Sequence, residues 1–439
     1  MRNLIILRGP ELSGRKSYIK ANGLAPWLVD QAMLETVFSE PVSDPNGGKR
    51  MDPQQRQRIR RRILSILEEK MCRGALIAFR PTDTGVPYSR TAASAADKMI
   101  ASVIELARKH RYTTRIVDFT NACSTDELHK RRLKMSREAR PDEIDRVIRH
   151  MKRKIGIPTG ADIFWQSNAE AKDILEQIEP EVIDLSDWRN IVVIGDIHGC
   201  SATLAQLTDN FEVRSDTAYI MLGDYINKGP DSGGVIRALL DKFAPHPNCF
   251  FLTGNHERSL SDWARGVDTT KKAFYSTGLP SLQASGITQQ DARAFLDHTV
   301  DAARFHWRGL DILATHGGFA QPPEALALFA AEHFQLGTDS AHFDVDAAWE
   351  RNVLEGRIPG PKKLIQIHGH RNPNGRPIAA GIGTFCLEES VDQGGPLRAL
   401  TLSPQGEGYA FREIYIANKD MTLKAAPEEK YPEIGKVSI

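Results

Sequence analysis

The sequence has few cysteines and no long apolar run. Its 439 residues include five scattered cysteines, an odd number without paired spacing, which argues against a disulfide framework or a cysteine zinc site. The apolar run at residues 4–7 ends at Arg8 and is too short for a signal peptide. No stretch approaches the roughly 20 apolar residues that a membrane helix needs. We therefore expect a cytoplasmic protein without membrane association.

Neither sign of charge predominates. Lysine and arginine number 57 and aspartate and glutamate 56, giving a formal net charge of +1, so bulk electrostatics neither favour nor exclude nucleic acid. Binding of RNA or DNA would need local basic patches. Two clusters of basic residues could supply them: Arg56, Arg58, Arg60, Arg61 and Arg62, and then Arg131, Arg132, Lys134, Arg137 and Arg140. A solvated helix face is the alternative interpretation of both clusters.

Metal-ligating residue types recur beside glycine in the second half of the chain. Carboxylates, a carboxamide and imidazoles occur in five ordered motifs: Gly195-Asp196-Ile197-His198-Gly199, Gly223-Asp224, Gly254-Asn255-His256-Glu257, Thr315-His316-Gly317-Gly318 and His368-Gly369-His370. Imidazole combined with carboxylate favours Mn, Fe, Zn or Ni over calcium, and one carboxylate can bridge two ions. One motif alone would be a glycine turn. Five in series indicate a two-metal centre suited to displacement at phosphorus.

An apolar, strand-like run precedes each motif. The runs cover residues 191–194, 219–222, 249–252, 312–314 and 364–367. Buried strands that deliver ligands at their carboxyl ends are typical of an α/β or sandwich-type active site, and adjacent glycines allow close backbone approach. We therefore expect an α/β sandwich over residues 188–415, followed by a carboxyl-terminal tail at residues 416–439.

The motifs resemble those of the calcineurin-like metallophosphoesterases, especially the phosphoprotein-phosphatase branch that includes the bacterial diadenosine tetraphosphatases. The resemblance spans about residues 188–415 and implies two divalent metal ions. The ligands that it implies are, for the first metal, Asp196, His198 and Asp224, and for the second, Asp224 as a bridge with Asn255, His316 and His370. It also implies that His256 protonates the leaving oxygen and that His368 is structural.

The chain departs from this family immediately after the bridging aspartate. The family pattern there reads Gly-Asp-x-x-Asp-Arg-Gly, whereas this chain has Asn227 in place of that second aspartate and Lys228 in place of the arginine. Asn227 can still accept a hydrogen bond but carries no charge to raise the pKa of His256. Lys228 keeps the positive charge of the family's arginine but lacks the guanidinium that donates two parallel hydrogen bonds. With these three as catalytic residues, we expect a working but weaker or more selective phosphatase, an inactive domain being the alternative.

Residues 1–180 alternate strand-like runs with charged helical segments. Strands are predicted at residues 4–7, 75–79 and 114–119, and helices at residues 53–73, 92–109, 125–134 and 141–153. This alternation indicates a parallel sheet flanked by helices. The first strand leads into a glycine-containing loop and a helix carrying lysine and serine, which is the setting of a phosphate-binding loop. The candidate nucleotide-binding residues are Gly9, Gly14, Arg15, Lys16 and Ser17.

This loop fits ATP poorly, because arginine and lysine occupy the positions where Gly-x-x-x-x-Gly-Lys-Ser/Thr has lysine and a hydroxyl. About residues 3–160 resemble the kinase domain of bacterial and phage polynucleotide kinase–phosphatases. Ungapped alignment puts unsuitable side chains at the family's general base, its arginine and a later aspartate: Ala32, Glu35 and Arg80. Asp30 is the nearest substitute base. We expect a P-loop kinase-like fold with little or no kinase activity; an active 5′-hydroxyl kinase is the alternative.

The sequence as a whole predicts a two-metal phosphoesterase joined to a degenerate kinase-like domain. The kinase-like neighbour favours phosphorylated nucleic-acid ends as substrate, with a 3′-phosphate or a 2′,3′-cyclic phosphate. A dinucleoside tetraphosphatase or protein phosphatase, regulated by a nucleotide-sensing first domain, is the second hypothesis. A nucleic-acid-binding protein in which both sites are relics is the third.

Overall fold

The computed structural model describes residues 2–9, 12–39, 42–43, 49–50, 53–81, 92–120, 122–134, 161–165, 169–269, 271–340, 343–360, 363–372, 375, 383–406 and 408–422. The chain divides into two compact units, Met1–Glu179 with Ala327–Ala330, and Pro180–Leu326 with Ala331–Ile439. The predicted helix at residues 141–153 and most of the predicted tail lie outside the described residues. Within these ranges, no helix combines the length and the apolar character needed to cross a bilayer.

A parallel sheet forms the centre of the first unit. Its strands, with a separate short pair, are β1 (Asn3–Arg8), β2 (Leu28–Asp30), β3 (Val42–Ser43), β4 (Lys49–Arg50), β5 (Ile77–Arg80), β6 (Thr113–Asp118) and β7 (Ile163–Trp165). The main sheet has the order β2-β5-β1-β6-β7, and every neighbouring pair is parallel. Strands β3 and β4 pair antiparallel apart from it. The predicted parallel sheet is therefore confirmed.

Helices cover both faces of this sheet. They are α1 (Arg15–Ala21), α2 (Gln31–Phe38), α3 (Pro53–Cys72), α4 (Ala92–Lys109), α5 (Thr125–Lys134) and α6 (Ile174–Ile178), with a 3-10 turn at Ala25–Trp27. Leu4 and Ile6 of β1 pack with side chains of α3 and α4. Ile5 and Leu7 pack with side chains of α1 and α6. Because both faces are covered, β1 is a continuous apolar run rather than an alternating one.

Two sheets form the second unit. Their strands are β8 (Ile183–Asp184), β9 (Asn190–Ile194), β10 (Thr217–Met221), β11 (Cys249–Leu252), β12 (Thr299–Val300), β13 (Ala302–Trp307), β14 (Leu310–Thr315), β15 (Leu364–His368), β16 (Thr384–Cys386), β17 (Leu397–Gln405) and β18 (Gly408–Ile416). One sheet has the order β12-β11-β10-β9-β17-β18 and the other β16-β15-β14-β13-β8. Both are mixed, since β17 is antiparallel to β9 and β13 is antiparallel to β14.

The second unit has its main core between these sheets and a further core under helices. Val193 and Ile220 of the first sheet share the inner core with Ile312 and Ile367 of the second. Ile194, next along β9, packs instead among the helices, as strand alternation requires. The helices are α7 (Ser201–Leu207), α8 (Ser232–Ala238), α9 (Glu257–Ala264), α10 (Leu279–Ala284), α11 (Gln289–Asp297), α12 (Ala331–Leu336) and α13 (Val345–Leu354). Three shorter helical segments accompany them: Leu239–Phe243 and Phe274–Gly278 (π-helical) and Val391–Gln393 (3-10). A further 3-10 segment, Leu326–Leu328, contains the boundary between the two units in the chain.

Candidate metal centre

Each predicted metal-ligating residue follows directly on a strand of the second unit. Asp196 and His198 follow β9, Asp224 follows β10, Asn255 follows β11, His316 follows β14, and His370 follows β15. Because these strands end at the same side of their sheets, the polar loops converge. The backbone is left-handed at three of these residues, with φ of 48° at His198, 51° at Asp224 and 63° at His370. Such strained non-glycine conformations concentrate at functional sites.

One group of possible metal-binding atoms comes from His198, Asp224 and His256. Oδ2 of Asp224 lies 3.6 Å from Nε2 of His198 and 4.0 Å from Nε2 of His256. Oδ2 of Asp196 lies 4.0 Å from the same nitrogen of His198. His198 also has Nδ1 at 3.3 Å from the carbonyl oxygen of Ile226, so that Nδ1–H donates and Nε2 is directed towards the carboxylates.

A second group comes from Asp224, His316 and His370. Oδ2 of Asp224 lies 3.3 Å from Nε2 of His316, and Oδ1 of Asn255 lies 3.1 Å from that nitrogen. Nδ1–H of His316 donates to the carbonyl oxygen of Leu222 at 3.0 Å, which again orients Nε2 towards the ligand position. Asp224 is thus common to both groups, as a bridging carboxylate must be.

Glycines allow the carboxylates to approach the neighbouring backbone. A Cβ on Gly254 would lie 2.2 Å from Oδ1 of Asp224, and a Cβ on Gly369 would lie 2.1 Å from Oδ1 of Asp196. Both oxygens of Asp196 accept the backbone N–H of His370, at 3.1 and 3.2 Å. The predicted use of glycine for close approach is confirmed at these two positions.

The electrostatics of the centre favour a cation. Burial alone would raise the pKa of Asp224, but the nearby imidazoles, that of His316 foremost, hold it well below its usual range. Burial alone would lower the pKa of His316. The negative charges of Asp224 and Asp196 outweigh this effect and raise the pKa of His316 to about 9. The buried carboxylates therefore create a negative potential between the imidazoles. Together with nitrogen and oxygen donors, this potential suits divalent transition ions.

Glu257 is a functional residue to which sequence reasoning gave no role. Its fully buried carboxylate accepts three backbone N–H groups, those of Asp224 at 2.8 Å, Tyr225 at 2.9 Å and Gly254 at 2.9 Å. Burial, and then the charge of Asp224, raise the pKa of Glu257. The side chain ties together the loops after β10 and β11. Its place directly after His256 in the Gly-Asn-His-Glu motif was the available signal.

Asn227 faces the imidazole of His256. Its Nδ2 lies 2.9 Å from Nδ1 of His256, so the amide donates in this orientation instead of accepting, as the sequence led us to expect, and the imidazole proton resides on Nε2. Among the described residues, the buried Oδ1 of Asn227 has no hydrogen-bond partner. Burial lowers the pKa of His256 to about 4. A Cβ on Gly278 would lie 2.1 Å from Oδ1 of Asn227, so glycine is needed for the amide to fit there. His256 is therefore a neutral imidazole with its proton directed towards the centre.

Lys228 and the loop after β16 bring further charge to the rim. Nζ of Lys228 lies 3.1 Å from Oδ2 of Asp392 and 3.4 Å from Nε2 of His198. Glu388 is close to Asp196, and burial followed by that charge raises the pKa of Glu388. Sequence reasoning singled out neither Asp392 nor Glu388, because neither stands directly beside a glycine as the predicted metal ligands do.

His368 has a structural environment. Its Nδ1 lies 3.0 Å from the carbonyl oxygen of Gly369, and its Nε2 lies 3.0 Å from Oδ1 of Asp346. Both nitrogens face acceptors, and although burial would lower the pKa of His368, the charge of Asp346 outweighs it and raises that pKa. Cys386 completes a third group of metal-type side chains here, but the hydroxyl of Thr384 also donates to Asp346, so the polar atoms already have partners.

In the first unit, the predicted nucleotide-binding residues are divided between two environments. Gly9 and Gly14 have φ of 144° and 107°, and Gly14 directly precedes α1. Lys16 and Ser17 are exposed on the first turn of α1. Arg15 is buried instead and donates to the carbonyl oxygens of Leu7 at 3.2 Å and Pro81 at 3.1 Å. A cavity of about 410 Å³ adjoins this turn, with a lining that includes Ser13, Gly14, Ser17, Tyr18, Cys123 and Arg131.

The substitute base Asp30 is held by other groups. Its Oδ1 accepts the backbone N–H groups of Ala32 at 3.1 Å and Met33 at 3.4 Å, which caps α2. Its Oδ2 accepts Nε–H of Arg80 at 3.0 Å. Asp30 and Arg80 thus form an internal pair at the ends of adjacent strands.

The two basic clusters differ in their surroundings. Four members of the first cluster are exposed on α3: Arg56, Arg58, Arg61 and Arg62. Arg60 donates to Oγ of Ser102 at 2.8 Å. In the second cluster, Arg131 pairs with Glu127 at 2.9 Å, while Arg137 and Arg140 lie outside the described residues.

Comparison with known proteins assigns the second unit. Residues 189–397 match the family model of the calcineurin-like phosphoesterases. The symmetrical bis(5′-nucleosyl)-tetraphosphatase of Bordetella pertussis is 36% identical over 86 residues, which are 19% of this chain and 30% of that protein. The corresponding Acidovorax sp. protein is 32% identical over 130 residues, which are 28% and 42% of the respective chains. Serine/threonine-protein phosphatase 1 of Salmonella typhimurium is 34% identical over 82 residues, which are 18% and 35%.

The chain thus spans less than half the length of these three relatives. A solved serine/threonine phosphatase from Saccharomyces cerevisiae is 16% identical, covering 61% of this chain and 90% of its own, with a TM-score of 0.35, a likeness too slight to add to the family match. Residues 189–397 are thus similar to the calcineurin-like phosphoesterases, and this match together with the phosphatase relatives supports a metal-dependent hydrolase.

Proposed function

We propose that the chain is a two-metal-dependent phosphoesterase whose ligands are Asp196, His198, Asp224, Asn255, His316 and His370. The observation that carries this proposal is the place of Asp224, whose Oδ2 lies 3.6 Å from His198 and 3.3 Å from His316 and so belongs to both donor groups. Two divalent ions bound there would neutralise charge on the phosphate and lower the pKa of a bound water.

The chain's own residues prepare this site. Glu257 holds the loops of Asp224 and Gly254 through three N–H groups. Lys228 adds a positive charge beside His198. His256 is the candidate acid, but a neutral imidazole that receives a hydrogen bond at Nδ1 gives up its remaining proton reluctantly. The proposed enzyme should therefore turn over slowly where the leaving oxygen is an alcohol that needs a proton.

The proposed substrates are nucleic-acid ends bearing a 3′-phosphate or a 2′,3′-cyclic phosphate. This specificity rests on the amino-terminal domain, proposed as residues 1–180 with a kinase-like design, beside the phosphoesterase domain proposed as residues 188–415. We propose that the first domain has lost kinase activity. Two observations support this loss. The side chain of Arg15 is buried and bonded to the backbone, and Asp30, the substitute base, is paired with Arg80, so none of these three groups is available to ATP.

A second candidate function is hydrolysis of a dinucleoside tetraphosphate or of a phosphoprotein. The names of the relatives favour it, since the bacterial relatives are symmetrical bis(5′-nucleosyl)-tetraphosphatases and a serine/threonine-protein phosphatase. In that case, the first domain would regulate the second.

A substrate panel tests these proposals. The chain with Mn²⁺ or Ni²⁺ is offered a 3′-phosphorylated oligonucleotide, a 2′,3′-cyclic phosphate, a dinucleoside tetraphosphate, a phosphopeptide and a chromogenic monoester. The highest kcat/KM should fall on a nucleic-acid end, and preference for the tetraphosphate or the peptide would favour the second candidate. Inactivity of both the wild type and Asp224→Asn on every substrate would refute the enzyme hypothesis. Asp209→Asn is the matched control. Asp209 is exposed, and its backbone lies in the left-handed region, which asparagine adopts readily.

A further inference from the structure

An ion pair lies at the edge of the proposed metal centre. Nζ of Lys228 and Oδ2 of Asp392 are 3.1 Å apart, and the same ammonium group is 3.4 Å from Nε2 of His198. The Asp392 side chain is 12% exposed and that of Lys228 is 38% exposed. The pair is therefore sheltered, but the lysine remains open to an incoming anion.

The loop that carries Asp392 is fixed. Asp392 lies in the 3-10 turn Val391–Gln393, which Asn418 holds by donating from Nδ2 to the carbonyl oxygens of Val391 at 2.7 Å and Gly395 at 3.0 Å. A Cβ on Gly395 would lie 2.0 Å from the carbonyl oxygen of Glu389, so the chain can turn there only with glycine. The position of Asp392 is thus built into the domain.

The lysine is restrained as well. Its backbone has φ of 67°, in the left-handed region, and its N–H donates to Oγ1 of Thr277 at 2.7 Å. The side chain of Lys228 therefore extends towards His198 from a restrained backbone, and the ion pair with Asp392 determines the position of its ammonium group. A phosphate attacked at this centre must place its non-bridging oxygens close to this ammonium group.

Charge decides what this pair does to a substrate. A phosphomonoester is a dianion above a pH of about 6, whereas a diester or cyclic phosphate is a monoanion at any neutral pH. An unpaired lysine would attract the dianion more strongly than the monoanion. Asp392 offsets that attraction by holding the ammonium group of Lys228 in an ion pair.

We propose that Asp392 is a positioning residue for Lys228 and thereby directs the site towards phosphodiesters and cyclic phosphates and away from phosphomonoesters. This inference rests on the proposed phosphoesterase function of the same site and, of the two proposed nucleic-acid ends, favours the 2′,3′-cyclic phosphate over the 3′-phosphate, which is a monoester. In the reaction, the oxygen of water bonds to phosphorus, the bond from phosphorus to the leaving oxygen breaks, and a proton of the water ends on the leaving group. Asp392 takes no part in those bonds and acts on which phosphate is bound.

The test compares two chromogenic substrates that release the same group. The full chain with Mn²⁺ at pH 8 is assayed on p-nitrophenyl phosphate and on bis-p-nitrophenyl phosphate, as wild type, Asp392→Asn, Asp392→Glu and the control Asp209→Asn. The ratio of diester to monoester kcat/KM should fall about fivefold in Asp392→Asn, because the ammonium group of Lys228 loses its sheltered counterion and attracts the dianion more strongly. Asp392→Glu and Asp209→Asn should retain the ratio of the wild type.

A double-mutant cycle tests whether Asp392 acts through the lysine. In a Lys228→Gln background, Asp392→Asn should leave the ratio unchanged. An unchanged ratio in the single variant Asp392→Asn would overturn the inference while leaving the phosphoesterase function intact. Equal loss on both substrates at an unaltered unfolding temperature would also overturn it. Inactivity of the wild type on both substrates would instead refute the proposed function itself.

Discussion

Nδ2 of Asn227 lies 2.9 Å from Nδ1 of His256, at the place where the resembling family has a carboxylate. An amide that donates to the imidazole keeps the ring neutral, whereas a carboxylate would accept Nδ1–H and stabilise the imidazolium. The departure therefore acts on the proton supply to the leaving group and leaves the proposed metal ligands unaltered.

Asn227→Asp should therefore raise turnover, most strongly together with Lys228→Arg. With a poor leaving group such as an alkyl alcohol, kcat should rise about tenfold, because a general acid contributes most where the leaving oxygen needs a proton. With p-nitrophenyl phosphate, the gain should be less than about twofold. Steady-state kinetics over a leaving-group series measures the difference. A gain that is the same for all leaving groups, or none, would contradict this account of His256.

Glu257→Gln should weaken metal binding. The amide replaces a buried carboxylate that accepts three N–H groups, and its own NH₂ would face one of those donors. Metal affinity should fall about 10- to 100-fold, the usual effect of losing a group that orients a ligand. Titration of the metal-stripped chain with Mn²⁺ measures it, and the exposed Glu212→Gln is the control. Equal affinities for both variants would show that Glu257 does not position Asp224.

Gly254→Ala should disable the site without altering any polar group. The added Cβ would lie 2.2 Å from Oδ1 of Asp224 and force that carboxylate to move. We expect kcat/KM to fall at least about 100-fold, since a displacement of about 1 Å has that effect in enzymes. Gly360→Ala is the matched control, because a Cβ there meets no atom within 4 Å. Similar activities of the two variants would argue that Asp224 is free to shift.

The first domain should not transfer the γ-phosphate of ATP to a 5′-hydroxyl oligonucleotide. Asp30, the nearest substitute base in the sequence, caps α2 and pairs with Arg80. Asp30→Ala should accordingly lower the stability of this domain by about 1–3 kcal/mol through the lost cap and the unpaired arginine. A radiolabelled transfer assay and thermal unfolding measure the two effects. Transfer that Lys16→Ala abolishes would show that the loop is an active kinase site.

Local sequence patterns predicted the elements that depend on neighbouring residues. The apolar runs before Asp196 and Asp224 became the parallel strands β9 and β10, and the adjacent glycines allow the close approaches that were expected. The α/β class and the parallel sheet of the first unit followed from the same alternation of strands and helices.

Features that depend on distant contacts did not follow from such patterns. Asp392 lies 164 positions after Lys228 in the chain and has no motif of its own, so only the folded loop brings the two charges to 3.1 Å. The direction of the Arg15 side chain depends on the carbonyl oxygen of Pro81, 66 positions away. The antiparallel pairing of β17 with β9 likewise depends on chain topology rather than composition.

The central claim is that two divalent metals bridged by Asp224 hydrolyse phosphate esters here. It is tested most directly by titrating the metal-stripped chain with Mn²⁺ while phosphate release from p-nitrophenyl phosphate is followed. We predict no release without metal, full activity at about two equivalents, and a loss of at least about 1,000-fold in Asp224→Asn. Equal release from the stripped and loaded chain, or from Asp224→Asn and wild type, would contradict it.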